Sequence, residues 1–210
     1  MSEFDVLIVP GWKNSGPAHW QTLWQNTHPE YRRVEQKNWN HPVRSHWIEQ
    51  LELHVQAARK PVILVAHSLG CITVAHWARP TETRVAGALL VAPADVERRK
   101  VASELRNFAP VPRKSLPFPS IVVGSTTDLT CSAERAQEFS RSWGSEFVNL
   151  GDVGHINVDS GHGLFPQGEA LLHSLTRLGL LLRGSAGAPL EGTGDFRNLT
   201  ELDAYSMPHR

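Results

Sequence analysis

The chain has 210 residues, enough for one domain with a sheet covered on both faces, and its 21 Lys+Arg balance 21 Asp+Glu to give zero formal charge. That balance argues against nucleic acid or an anionic membrane as partner and favours a small neutral substrate; a protein partner is compatible with it but not indicated. Cys71 and Cys131 show neither metal-ligand spacing nor a disulfide framework, the Met-Ser-Glu-Phe-Asp start is unlike a signal peptide, and no apolar run reaches the roughly 18 residues of a bilayer span, so a reducing cytoplasm is expected.

Residues 4–9 are a short run rich in Val, Leu and Ile that stops at Pro10-Gly11, which predicts a first buried strand. The loop at 12–17 leads into a helix expected near Ala18, where Trp20 and Trp24, four apart, share a face. Over 45–58, Trp47, Ile48, Leu51 and Val55 recur at helical spacing with Glu49, Gln50, Glu52 and Gln56 turned outward, as in a helix that covers a sheet. His28, His41, His46 and His54 are scattered without ligand spacing, so no metal is expected, and no motif asks for a cofactor.

Val62 to Val65 form a β-branched and aliphatic strand running into Ala66-His67-Ser68-Leu69-Gly70, and a helix-capable segment at 71–78 follows directly. A small residue two before and two after a serine, between a buried strand and a helix, is the pattern of a tight turn that lifts the serine hydroxyl above the sheet edge. Residues 85–92 predict another buried strand ending at Pro93-Ala94-Asp95. After it come an amphipathic stretch at 96–108 and a surface connection at 109–119 carrying four prolines. Residues 119–124 read as a strand ending at Ser125-Thr126-Thr127-Asp128. A capped helix at 132–143, a last strand at 146–150, the loop Gly151-Asp152-Val153-Gly154-His155-Ile156-Asn157 and a final helix at 167–182 complete the core. From 183 the composition turns to Gly, Ala, Ser, Pro and Thr. The expected organisation is a domain over 1–183 and a flexible tail over 184–210.

Alternating strands and helices imply an α/β fold with a mostly parallel sheet, helices on both faces and no cap domain, whose functional residues collect at the C-terminal strand ends. Those ends carry Gly11-Trp12, Ser68, Asp95, Asp128 and His155. Acyl transfer at a serine needs a base for its proton and a carboxylate to orient that base. Ser68, Asp128 and His155 follow the chain order serine, acid, histidine, with Asp95 and His162 as rival acid and base. The backbone N–H groups of Trp12 and Leu69 are the candidate oxyanion donors. His67 should point away from the nucleophile and serve packing or hydrogen bonding.

The strings Pro10-Gly11-Trp12 with Ser15-Gly16-Pro17-Ala18-His19-Trp20-Gln21, Ala66 to Cys71, Val91-Ala92-Pro93-Ala94-Asp95, Asp128 with Cys131-Ser132, and Gly154-His155-Ile156-Asn157 resemble the small serine hydrolases related to retinoblastoma-binding protein nine. The resemblance covers about residues 4–180 and implies a cap-less α/β-hydrolase with its catalytic roles on Ser68, Asp128 and His155. Where that family's acid motif reads Asn-Asp-Pro-Tyr-Cys, this chain has Thr127-Asp128-Leu129-Thr130-Cys131. The expected activity is hydrolysis of small acyl esters, with amides as an alternative, in a shallow pocket walled by Trp12 and Trp20. An idle hydrolase domain used for protein binding and an acyltransferase with the same three residues remain open alternatives.

Overall fold

Strand β3 (Val62–His67) is buried along its whole length, and its side chains alternate between two cores: Val62, Leu64 and Ala66 face one, Ile63 and Val65 the other. Only a strand in the middle of a sheet with helices on each side must be apolar on both faces. The structure, a computed structural model, describes residues 3–79 and 84–184. Around β3 it places β1 (Asp5–Val9), β2 (Arg32–Arg33), β4 (Val85–Val91), β5 (Ser120–Gly124) and β6 (Glu146–Asn149) in one six-stranded sheet of order β2-β1-β3-β4-β5-β6, with every pair parallel.

Helices α2 (Arg44–Gln56), α3 (Leu69–Trp77) and α4 (Ala133–Trp143) cover one face, burying Trp47, Leu51 and Val55, then Val74 and Trp77, then Phe139 and Trp143. On the other face α1 (Trp20–Thr27) and α5 (Pro166–Gly184) bury Trp20, Trp24, Leu172 and Leu175. Each fully buried side chain of this size contributes roughly 1.5–3 kcal/mol, which is how two apolar layers hold a sheet of short strands. Helix α4 starts and stops as its sequence dictates: the Ser132 hydroxyl accepts from the Arg135 amide at 3.2 Å, and Gly144 ends the helix in the left-handed conformation at φ 67°.

Four elements depart from the sequence expectation. Strand β2 consists of two arginines and has no apolar signature. It is held at the sheet edge because the Arg33 guanidinium bonds Gln25, Asn14, the Ser15 carbonyl and Thr22. The amphipathic stretch at 96–108 yields a 3-10 turn at Ser103–Phe108, which buries Leu105 and Phe108 and leaves its remaining length as loop. Helix α3 begins at Leu69 rather than at 71, directly after the serine, and α5 runs through Gly184. The expected flexible tail lies, from residue 185 on, outside the described residues. Among those described, no helix is long and apolar enough to cross a membrane, and the β4–β5 connection carries no cap domain.

Candidate active site

Ser68 sits between β3 and α3 at φ 54°, ψ −120°, a backbone region that costs a non-glycine residue roughly 1–3 kcal/mol. Surrounding contacts hold it there: its amide donates to the Val91 carbonyl at 3.0 Å, and its carbonyl accepts from the Cys71 and Ala94 amides. The nearest obstacle to a side chain at position 70 is the end of β1, not the facing small residue Ala66. A Cβ on Gly70 would lie 2.3 Å from the Val9 carbonyl oxygen. Gly11 makes the reciprocal approach, since a Cβ there would come within 2.8 Å of the Ser68 Cβ and 3.4 Å of the Leu69 nitrogen. Two glycines therefore let the loop after β1 lie directly against the serine turn.

Gln21, fully buried in α1, ties the same two strand ends together. Its side-chain amide donates to the Val65 carbonyl at 3.0 Å and the Val9 carbonyl at 3.4 Å, and its oxygen accepts from the Ser15 hydroxyl at 2.6 Å. Sequence reasoning assigned this residue no role. A glutamine at the start of an otherwise apolar helix face was the available signal.

His155 lies on the loop after β6 and links the other two candidates. Its Nε2 is 3.0 Å from the Ser68 Oγ, and its Nδ1 is 2.8 Å from the Asp128 Oδ2. The Asp128 side chain is 2% exposed. A buried carboxylate oxygen at that distance requires a proton on Nδ1, which leaves a lone pair on Nε2 facing the serine hydroxyl. The rival acid Asp95 is engaged elsewhere, with Arg135 at 3.5 Å and the Glu97 amide at 3.0 Å. The rival base His162 packs edge-on against Phe165.

The histidine loop is gripped from across the molecule. Trp20 Nε1 donates to the Ile156 carbonyl at 3.0 Å, Trp24 Nε1 to the Leu164 carbonyl at 2.9 Å, and His67 Nε2 to the His155 carbonyl itself at 3.0 Å. These bonds sustain Ile156 at φ 48°, a conformation that a β-branched residue rarely adopts. Trp20 is completely buried and is thus not the pocket wall expected from the sequence. Trp12 is half-buried, with its indole fixed to the Asn40 carbonyl at 2.9 Å.

Three imidazoles lie in a row, His19 edge-on to His67 at 4.8 Å and His67 tilted against His155 at 4.9 Å between ring centres. Burial, then Arg33 and His155, pushes His19 down to about 4. Burial, then His155 and His19, holds His67 well below the ordinary histidine range. Both are therefore uncharged beside His155 near neutral pH. Burial raises the Cys71 and Cys131 thiols, which makes both poor nucleophiles. Among the described residues no group of three His, Cys, Asp or Glu side chains could hold a metal ion.

A parallel sheet between two helical layers, with a strained serine at a strand-to-helix turn, defines an α/β-hydrolase fold. Residues 6–174 match the serine hydrolase family model, and the chain belongs to that family and is a hydrolase. It is similar to a protein of Pectobacterium atrosepticum described as a YdeN-like hydrolase, with 29% identity and a TM-score of 0.71 over 85% of this chain and 90% of that one. The ydeN gene product of B. subtilis (20% identity, TM-score 0.67, 83% and 99% coverage) and Est1E of Butyrivibrio proteoclasticus (11%, 0.59, 89% and 90%) share the fold. No curated protein matches the chain in sequence.

Proposed function

We propose that the protein hydrolyses small acyl esters through an acyl-enzyme on Ser68, with His155 as base and then acid, Asp128 as its orienting carboxylate, and the Trp12 and Leu69 amides as oxyanion donors. The observation that carries this reading is the unbroken hydrogen-bonded chain from the Ser68 Oγ through both nitrogens of His155 to Asp128. In it, His155 Nε2 takes the hydroxyl proton as Oγ attacks the ester carbonyl, and the imidazolium is stabilised by Asp128. The tetrahedral oxyanion forms beside the first turn of α3, where the Leu69 N–H has no intrahelical partner, and beside the Trp12 N–H that Gly11 lets approach. Nε2–H then protonates the departing alkoxide. Water, deprotonated by the same nitrogen, attacks the acyl carbonyl and releases the acid and a restored Ser68.

The absence of a cap in the described β4–β5 connection supports a small acyl group over a long chain. Two buried free thiols support a reducing, cytoplasmic setting. The test is labelling by a fluorophosphonate, which reacts with an activated serine and not with a mere binding domain. Wild-type protein is expected to label and to hydrolyse p-nitrophenyl acetate. In folded Ser68→Ala labelling should vanish and kcat fall by about 10⁵- to 10⁶-fold. Esterase activity retained in Ser68→Ala would overturn the assignment.

A further inference from the structure

The chain departs from the resembled acid motif at residue 130, where a threonine replaces the tyrosine. Its backbone is fixed from both sides: the Thr130 amide donates to Asp128 Oδ1 at 2.7 Å, and its carbonyl accepts from the Asp95 amide at 3.3 Å. That placement brings the Thr130 hydroxyl oxygen to 2.9 Å from His155 Nδ1, nearly as close as the Asp128 Oδ2 at 2.8 Å. Because the carboxylate requires the proton to be on Nδ1, the hydroxyl cannot donate to that nitrogen. It meets Nδ1–H with a lone pair, and its own hydrogen is free to turn to solvent at this half-exposed position.

We propose that Thr130 is a positioning residue that shares the His155 Nδ1–H with Asp128 as a second acceptor, fixing the ring's orientation and tautomer and favouring its protonated form. The inference rests on the Ser68–His155–Asp128 reading above. A hydrogen bond to an ionised donor is stronger than the same bond to a neutral one, so an acceptor at Nδ1 stabilises imidazolium more than imidazole. The titratable groups facing the ring are Asp128 from the loop after β5, His67 from the end of β3 and His19 ahead of α1. His67 and His19 are uncharged near neutral pH, so neither opposes a proton on His155 there. Ser68 occupies the other nitrogen, Nε2. Two acceptors on one N–H also leave the ring less freedom to rotate than a single carboxylate oxygen would.

The test uses the full chain as wild type, Thr130→Val, which keeps the shape and removes the hydroxyl, and Thr130→Ser, which restores it. With p-nitrophenyl acetate, Thr130→Val is expected to lower kcat/KM about 3- to 10-fold at pH 7 and to move the acidic limb of the pH profile down by about half a unit, a threefold loss of proton affinity. Thr130→Ser should return both to wild type. The same shift should appear in the His155 imidazole C–H resonances followed by NMR against pH, a readout that needs no turnover. If the wild type hydrolysed no ester, the proposed function would fall while the NMR comparison still decided the role of Thr130. A midpoint that stays in place or rises in Thr130→Val, or a Thr130→Ser protein that behaves like Thr130→Val, would overturn the inference.

Discussion

Replacing His19 with asparagine should change how stability depends on pH, by an amount that follows from its burial. His19 precedes α1, where its Nδ1 accepts from the Gln21 amide at 3.2 Å, and the residue is 6% exposed. Asparagine supplies an equivalent capping oxygen, so the substitution removes the titrating ring and keeps the cap. In the folded protein this histidine binds a proton at about pH 4, whereas in the unfolded chain it does so near 6.5. Above 6.5 neither state carries the proton, and the neutral ring keeps its full contribution. As the pH falls below 6.5, the unfolded chain is protonated and the folded one is not, so the wild type loses about 1.4 kcal/mol per unit, for a total of about 3 kcal/mol at pH 4. His19→Asn should begin about 1–2 kcal/mol less stable at pH 7, because it loses the ring contacts with His67 and Trp20, and it should overtake the wild type near pH 5. Urea unfolding of both proteins from pH 7 to 4.5 at constant ionic strength, followed by tryptophan fluorescence, gives the difference directly, since titrations common to the two cancel. A difference that does not vary with pH would refute the reasoning.

Asp128→Asn should reduce kcat about 10⁴-fold near neutral pH with the fold retained, while Asp95→Asn, whose carboxylate is engaged by Arg135, should change it less than about tenfold; the opposite ranking in purified variants would move the acid to the other strand end. In a p-nitrophenyl ester series measured below the micelle threshold, kcat/KM should be higher for acetate and butyrate than for palmitate. A rise continuing past about eight carbons, each methylene contributing roughly 0.8 kcal/mol of burial, would mean that a deep apolar channel exists.

The strand ends were readable because a strand buried on both faces must be a continuous apolar run, and the residues after such runs fall at one edge of a parallel sheet. That rule, with the chain order serine, acid, histidine, singled out Ser68, Asp128 and His155, which the fold brings into one hydrogen-bonded chain. Position 70 was recognised as requiring a small residue, yet its nearest obstacle is the Val9 carbonyl, a partner 61 positions away that no local pattern announces. Trp20 and Trp24 were placed on one helix face from their spacing, and they do meet edge to face at 4.8 Å. Their bonds to the histidine loop could not be read, because indole N–H partners are set by long-range docking. Strand β2 was missed because ladder pairing needs no apolar side chain when a guanidinium with four bonds holds the edge.

The grip of α1 on the histidine loop spans 136 residues through Trp20 and 140 through Trp24. A chain synthesised from its N-terminus presents both indoles, the serine turn and the Asp128 strand long before their last acceptors leave the ribosome. Until the segment through Leu164 has emerged, the histidine loop lacks the last of its carbonyl anchors, the one that Trp24 holds. Assembly of this site is consequently a late, long-range event, and a nascent chain halted before residue 155 carries its serine without the histidine that lies 3.0 Å from it.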